Sequence, residues 1–133
     1  MNLKKKIKSN KIIVGIIGLG YVGLPLAYSF VNKNIKVYGF DNDPHKIKKI
    51  SQGKSYINYF SDIQIKKMTK KNFKCFLNFE KIPKVDFIIL CLPTPINKNK
   101  SPDLSYIIKT LSKLKKYLRP NQTLSLESTT YPG

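Results

Sequence analysis

The stretch G15-I-I-G-L-G-Y-V-G-L-P-L-A-Y-S-F30 decides how this chain is read. It is apolar and rich in glycine. It follows a tract holding Lys4, Lys5, Lys6, Lys8 and Lys11. No charge falls between Ile12 and Asn32, so a membrane span or an export signal must be weighed first. Gly15, Gly18, Gly20, Gly23 and Pro25 interrupt the segment, and no small-residue cleavage site follows it. A second strand-like run, Ile35 to Phe40, then ends in an acid, which a membrane helix does not explain. A strand, a turn and a helix explain every feature. Ile12 to Ile17 is short and mostly β-branched, as a strand buried on both faces requires. Gly18, Gly20 and Gly23 form GxGxxG at the strand-to-helix turn. The first glycine allows the turn, the second lets backbone approach a diphosphate, and the third lets the helix pack on the sheet. Amides around Tyr21 and Val22 open that helix, where its dipole favours phosphate. Val22, Leu26, Ala27, Phe30 and Val31 recur at helical spacing and are expected to cover the strands.

Asp41 ends the next strand, 18 residues after Gly23. A carboxylate there accepts hydrogen bonds from adenosine ribose hydroxyls and repels a 2′-phosphate, so NAD is expected in preference to NADP. Further on, helices are expected over residues 46–52, 61–71 and 104–118, and strands over 73–79, 85–92 and 123–127. Pro93-Thr94-Pro95 stops the strong strand at 85–92. Strands alternating with helices imply an α/β fold, a Rossmann-type doubly wound parallel sheet whose ligands sit beyond the carboxyl ends of the strands. The loops at Gly18–Gly23, Asp41–Lys46, Pro93–Pro95 and Ser128–Gly133 are therefore where function is sought.

Composition constrains partners. The 133 residues are 41% hydrophobic and 24% charged, which fits one globular domain. The net charge is +18, yet Arg119 is the only arginine among 25 basic residues. Base readers rely on the arginine fork, so specific nucleic-acid binding is not expected. The lysines accompany many Ile and Asn residues, a pattern that A/T-rich codons produce. Cys75 and Cys91 lack metal-ligand spacing and read as buried free thiols in a reducing cytoplasm. No metal site is expected. His45 and Glu127 read as an exposed residue and a strand end, not as acid–base groups.

Taken together, "GIIGLGYVGLPLA", "GFDNDPHKI", "ILCLPTP" and "LESTTYPG" resemble the UDP-glucose/GDP-mannose dehydrogenase family of nucleotide-sugar 6-dehydrogenases. "GKSYI", "SPDLSYI" and "YLRPNQTLSLESTTYPG" are similar to its branch acting on UDP-N-acetylglucosamine and UDP-N-acetylmannosamine, which serves surface polysaccharide synthesis. The resemblance implies that Tyr21 and Val22 give main-chain contacts to the diphosphate and that Asp41 holds the adenosine ribose. Lys46 stands where the family places a basic residue beside the adenosine half; a solvated lysine at a helix start is the other reading. Thr94 would meet the cofactor near its nicotinamide-side ribose, unless its hydroxyl merely caps a turn. Thr129, with Thr130 adjacent, corresponds to a threonine that orients a water or reacting oxygen.

The family oxidises a sugar C6 alcohol twice with two NAD, through a cysteine-bound intermediate. Its glycine-flanked cysteine, its catalytic lysine and its UDP-sugar domain have no match here. The chain is therefore expected to be an amino-terminal fragment of a larger multidomain enzyme that forms a homo-oligomer. Residues 1–11 would be a basic extension and 12–133 the NAD-binding domain, incomplete at its end and inactive alone. A β-hydroxyacid-type dehydrogenase and a non-catalytic NAD-binding module remain the alternatives. "GLGYVG", the PTP turn and "STTYPG" argue against the first.

Overall fold

The computed structural model describes residues 1–128 and 130. Five strands, β1 (Ile13–Ile17), β2 (Lys36–Phe40), β3 (Phe73–Phe76), β4 (Phe87–Leu90) and β5 (Thr123–Leu126), form one sheet in the order β3-β2-β1-β4-β5. Every pairing is parallel. The chain leaves β1 towards β2 on one side and later crosses back to add β4 on the other. This reversal beside β1 opens a crevice at the carboxyl ends of the strands.

Side chains alternate across the pleat and build two cores. Val14, Ile16, Val37 and Ile89 face one layer made by α2 (Gly23–Asn32), α3 (Pro44–Ser51) and α4 (Asp62–Thr69). Ile17, Tyr38, Phe40, Ile88 and Leu90 face the other, covered by Leu111 and Leu114 of α5 (Ser105–Leu114) and by Ile82 and Val85. Sheet positions buried on both faces explain why β1 and β4 read as continuous apolar runs.

Local chemistry trims the expected elements. Asp43 caps α3 by accepting from the His45 N–H, so the helix begins at Pro44, where a missing N–H costs nothing. Ser61 and Gln64 form a reciprocal capping box that starts α4 at Asp62. The helix expected over 104–118 ends as α at Leu114, and Lys115–Tyr117 tightens into a 3-10 turn. On α2 the buried positions are Gly23, Leu24, Ala27 and Val31. Val22, expected to cover the strands, is instead 59% exposed, because it precedes the first helical turn and turns towards the crevice.

The lysine tract also carries structure. Residues Leu3–Lys8 form a short helix, α1, with Asn2 accepting from the Lys5 N–H. Leu3 packs against the first core, and Lys6 reaches Asp86 at the amino end of β4. No helix among the described residues is long and apolar enough to cross a membrane.

Candidate active-site cleft

A cleft of about 1170 Å³ lies over the carboxyl ends of the strands. Of the residues singled out in the sequence, Gly18, Gly20, Tyr21, Val22, Asp41, Lys46 and Thr94 all line it. Gly23 lies behind the loop, and Thr129 lies outside the described residues.

Each glycine of the loop meets a different constraint. Gly18 has φ +94°, and a β-carbon there would lie 2.3 Å from the Cys91 carbonyl oxygen. A β-carbon at Gly23 would lie 1.7 Å from the Gly18 carbonyl oxygen. Both contacts are below any possible approach, so β1, β4 and the start of α2 close together only around bare backbone. At Gly20 a β-carbon would meet nothing within 4 Å, because that side opens to the cleft. The loop is thus sealed at two glycines and bare at the middle one, the shape a diphosphate cradle needs.

The helix start supplies the electrostatics. No side chain caps α2 at Val22. Among the described residues, the Tyr21 and Val22 N–H groups donate to no protein acceptor. Free amides at a ten-residue helix's positive end form an anion site. The residues fit a dinucleotide at this point.

Asp41 stands beside that loop, its side chain only 8% exposed. Its Oδ2 accepts from the Leu19 N–H at 2.9 Å, and its Oδ1 accepts from the Asp43 N–H at 2.9 Å. These bonds aim the carboxylate and still leave each oxygen a further lone pair for a ribose hydroxyl. Lys46 Nζ lies 3.6 Å from Asp41 Oδ2 and half-buried in the cleft wall, so it is not a freely solvated lysine. Thr94 is half-buried in the turn after β4. Among the described residues its hydroxyl makes no hydrogen bond, so it does not cap that turn. Ser128 Oγ donates to the Leu92 carbonyl at 2.8 Å and binds the end of β5 to the same turn.

Of the other residues weighed in the sequence, Cys91 and Glu127 also line the cleft, whereas Cys75 and His45 do not. Cys75 and Cys91 are unpaired and half-buried. Burial raises both thiols to about 11, and at Cys91 the charge of Glu127 adds to it. Neither is poised as a thiolate at neutral pH. Glu127 donates its N–H to the Leu90 carbonyl, extending the β4–β5 ladder by one residue. His45 is exposed on α3. No cluster of metal-binding side chains occurs among the described residues.

Sequence reasoning missed one wall of the cleft and the side chains that brace its glycine loop. Tyr106, Lys109, Thr110 and Lys113 of α5 form one wall, although the helix was read only for its apolar stripe. The spacing of Lys109 and Lys113 by four residues, off that stripe, was the available signal. Tyr56 and Tyr59 hold the glycine loop from behind, a contact that no spacing announces.

Replacement of Gly20 by alanine separates the cradle from the fold. The methyl group enters open space and Gly20 lies outside the left-handed region, so thermal stability is expected to change by less than about 1 kcal/mol. The same methyl occupies the side a diphosphate must approach, and NAD affinity is expected to fall at least about tenfold by calorimetric titration.

The comparisons agree with this geometry. The model of the UDP-glucose/GDP-mannose dehydrogenase family, NAD binding domain, matches residues 11–133. Protein CapL of Staphylococcus aureus is 38% identical over 120 residues, covering 90% of this chain and 27% of its own length. The UDP-N-acetyl-D-glucosamine 6-dehydrogenase of Pseudomonas aeruginosa is 35% identical over 120 residues, covering 90% of this chain and 28% of its own length. A crystal structure of a ternary complex of GDP-mannose dehydrogenase from Pseudomonas aeruginosa superposes with a TM-score of 0.82 at 29% identity. It covers 90% of this chain and 29% of its own. The chain thus spans between a quarter and a third of the length of these relatives. A five-stranded parallel sheet, a bare glycine loop and a carboxylate beside it accompany a family match over nearly every residue, and the chain belongs to the UDP-glucose/GDP-mannose dehydrogenase family, of which it carries the NAD-binding domain.

Proposed function

We propose that residues 12–133, led by the basic segment 1–11, are the NAD-binding portion of an enzyme that oxidises the C6 hydroxymethyl of a UDP-N-acetylhexosamine to a uronic acid. Such products serve surface polysaccharide synthesis. One observation carries the reading: free amides at the start of α2 lie within one side-chain reach of Asp41, which is hydrogen-bonded into the same loop. The UDP-N-acetylhexosamine branch is supported by relatives named for UDP-N-acetyl-D-glucosamine and UDP-N-acetyl-D-mannosamine.

The residues divide the work as follows. Main-chain N–H groups of Tyr21 and Val22, beside the bare Gly20 of a loop that Gly18 and Gly23 allow to close, would bind the diphosphate. Asp41 would orient the adenosine ribose, and Lys46 would offset the carboxylate's charge beside it. Thr94 would hold the ribose nearer the reacting end, and Thr129 would orient a water or reacting oxygen. NAD, when bound, supplies the hydride acceptor, and two equivalents take an alcohol to an acid. The nucleophilic cysteine, the catalytic lysine and most UDP-sugar contacts would come from sequence outside residues 1–133, in a cytoplasmic homo-oligomer. An opposing wall from that further sequence would exclude water and fix the sugar.

Titration with NAD⁺, followed by incubation with UDP-N-acetylglucosamine, UDP-N-acetylmannosamine and UDP-glucose, tests this. Binding without sustained formation of reduced cofactor is expected. No binding removes the NAD assignment, and steady turnover removes the requirement for further sequence.

A further inference from the structure

We propose that Tyr56 and Tyr59 are positioning residues that aim the amides of the glycine loop into the cleft. The inference deepens the NAD reading and rests on it. Both tyrosines lie in the connection between α3 and α4, far from the loop in sequence. Tyr56 Oη donates to the Leu19 carbonyl at 2.5 Å, and Tyr59 Oη donates to the Tyr21 carbonyl at 2.5 Å.

A trans peptide unit is planar, and its C=O and N–H point in opposite directions. The Leu19 carbonyl shares its plane with the Gly20 N–H, and the Tyr21 carbonyl shares its plane with the Val22 N–H. A hydroxyl that holds either carbonyl therefore fixes the direction of the amide across that plane. Gly20, Tyr21 and Val22 line the cleft, whereas Tyr56, Tyr59 and Leu19 do not. The carbonyls are held from the far side.

Neighbouring contacts brace both tyrosines. Asp41 accepts from the Leu19 N–H, so the peptide planes on both sides of Leu19 are tied. Lys46 Nζ lies 5.9 Å over the Tyr56 ring while it pairs with Asp41. Burial, then the nearby Asp41 charge, raises the Tyr56 phenol above its usual value, which keeps it a donor. The Tyr59 ring leans on Tyr21 with centroids 6.0 Å apart. Two hydroxyls and one carboxylate thus immobilise the loop before any ligand arrives, which lowers the ordering cost of binding.

Tyr56→Phe, Tyr59→Phe and the double variant keep the rings and remove only the donors. Each chain is titrated by NMR with ADP-ribose, which carries the diphosphate, and with adenosine, which does not. Each single variant is expected to bind ADP-ribose about 3- to 10-fold more weakly, with adenosine binding changed less than about twofold. Unchanged ADP-ribose affinity, or equal weakening of both ligands, overturns the proposal, because general loosening of the fold does not distinguish them. Tyr59 is exposed, so its variant still reports should Tyr56→Phe fail to fold. A parent chain that binds neither ligand removes the NAD reading with it. A parent that binds ADP-ribose, alongside variants that match it, removes only the positioning role.

Discussion

Gly23→Ala is expected to cost about 4 kcal/mol or more, enough to consume most of a small domain's stability. The added methyl would stand 1.7 Å from the Gly18 carbonyl oxygen and 3.3 Å from an Ile16 methyl. The first contact is with backbone, which no rotamer change relieves. Gly18 cannot retreat, because it is itself packed against the Cys91 carbonyl and donates its N–H to the Phe40 carbonyl at 2.8 Å. The start of α2 must therefore lift off the sheet and uncover Leu24 and Ala27, both fully buried. Thermal unfolding followed by circular dichroism should show a midpoint lowered by about 15 °C or more, or no cooperative transition. NAD binding should vanish with it. A Gly23→Ala chain within about 1 kcal/mol of the parent contradicts the packing described for this loop. Against Gly20→Ala, the expected outcome is a division of labour within one motif: loss of the fold at Gly23, and loss of ligand affinity alone at Gly20.

Asp86→Asn is the second large effect. Asp86 is 3% exposed, at the amino end of β4, opposite the cleft. Its Oδ1 accepts from Lys6 Nζ at 2.5 Å and from an Arg119 N–H at 3.0 Å, and its Oδ2 accepts from the Ile13 N–H at 3.0 Å. One carboxylate thus joins α1, the start of β1, the start of β4 and the approach to β5. Burial on its own raises the carboxyl, but the bonds from Lys6, Ile13 and Arg119 outweigh it and hold Asp86 below the usual carboxylate range. An amide removes the charge that pairs with two cations and sets a donor against either those cations or the Ile13 N–H, and a loss of about 2–4 kcal/mol is expected at pH 7.

The pH dependence follows from the same depression. A carboxyl held low in the folded state contributes stability that is fully present above its unfolded value, near 4. That contribution disappears as pH falls through the lower folded value. Urea melts of parent and Asp86→Asn should therefore differ most near neutrality and converge below about pH 4. A gap that persists undiminished at pH 2 would show that the charge is not what holds these elements together. The arrangement also explains why a lysine tract forms a helix here: Lys6 has a buried partner, and Leu3 has a core to join.

Much of the fold was legible because it rests on short-range rules. The β-branched run at Ile12–Ile17, the GxGxxG turn and the acid at residue 41 each report backbone geometry, which local sequence dictates. Element ends were less legible. Caps such as Asp43 and Ser61 depend on one hydrogen bond, and periodicity runs past it. Val22 was misplaced for this reason, since an apolar residue at helical spacing is indistinguishable from core until the first turn is located.

The alternation of strand and helix, the bare loop and the acid beside it could all be read along the chain, because each is a relation among residues close in sequence. What braces that loop emerges from the folded chain alone. The two tyrosine hydroxyls meet carbonyls 37 and 38 residues away, and Asp86 meets Lys6 across 80. Such contacts are set by how the layers stack, and a hydrogen bond between distant residues leaves no periodicity behind.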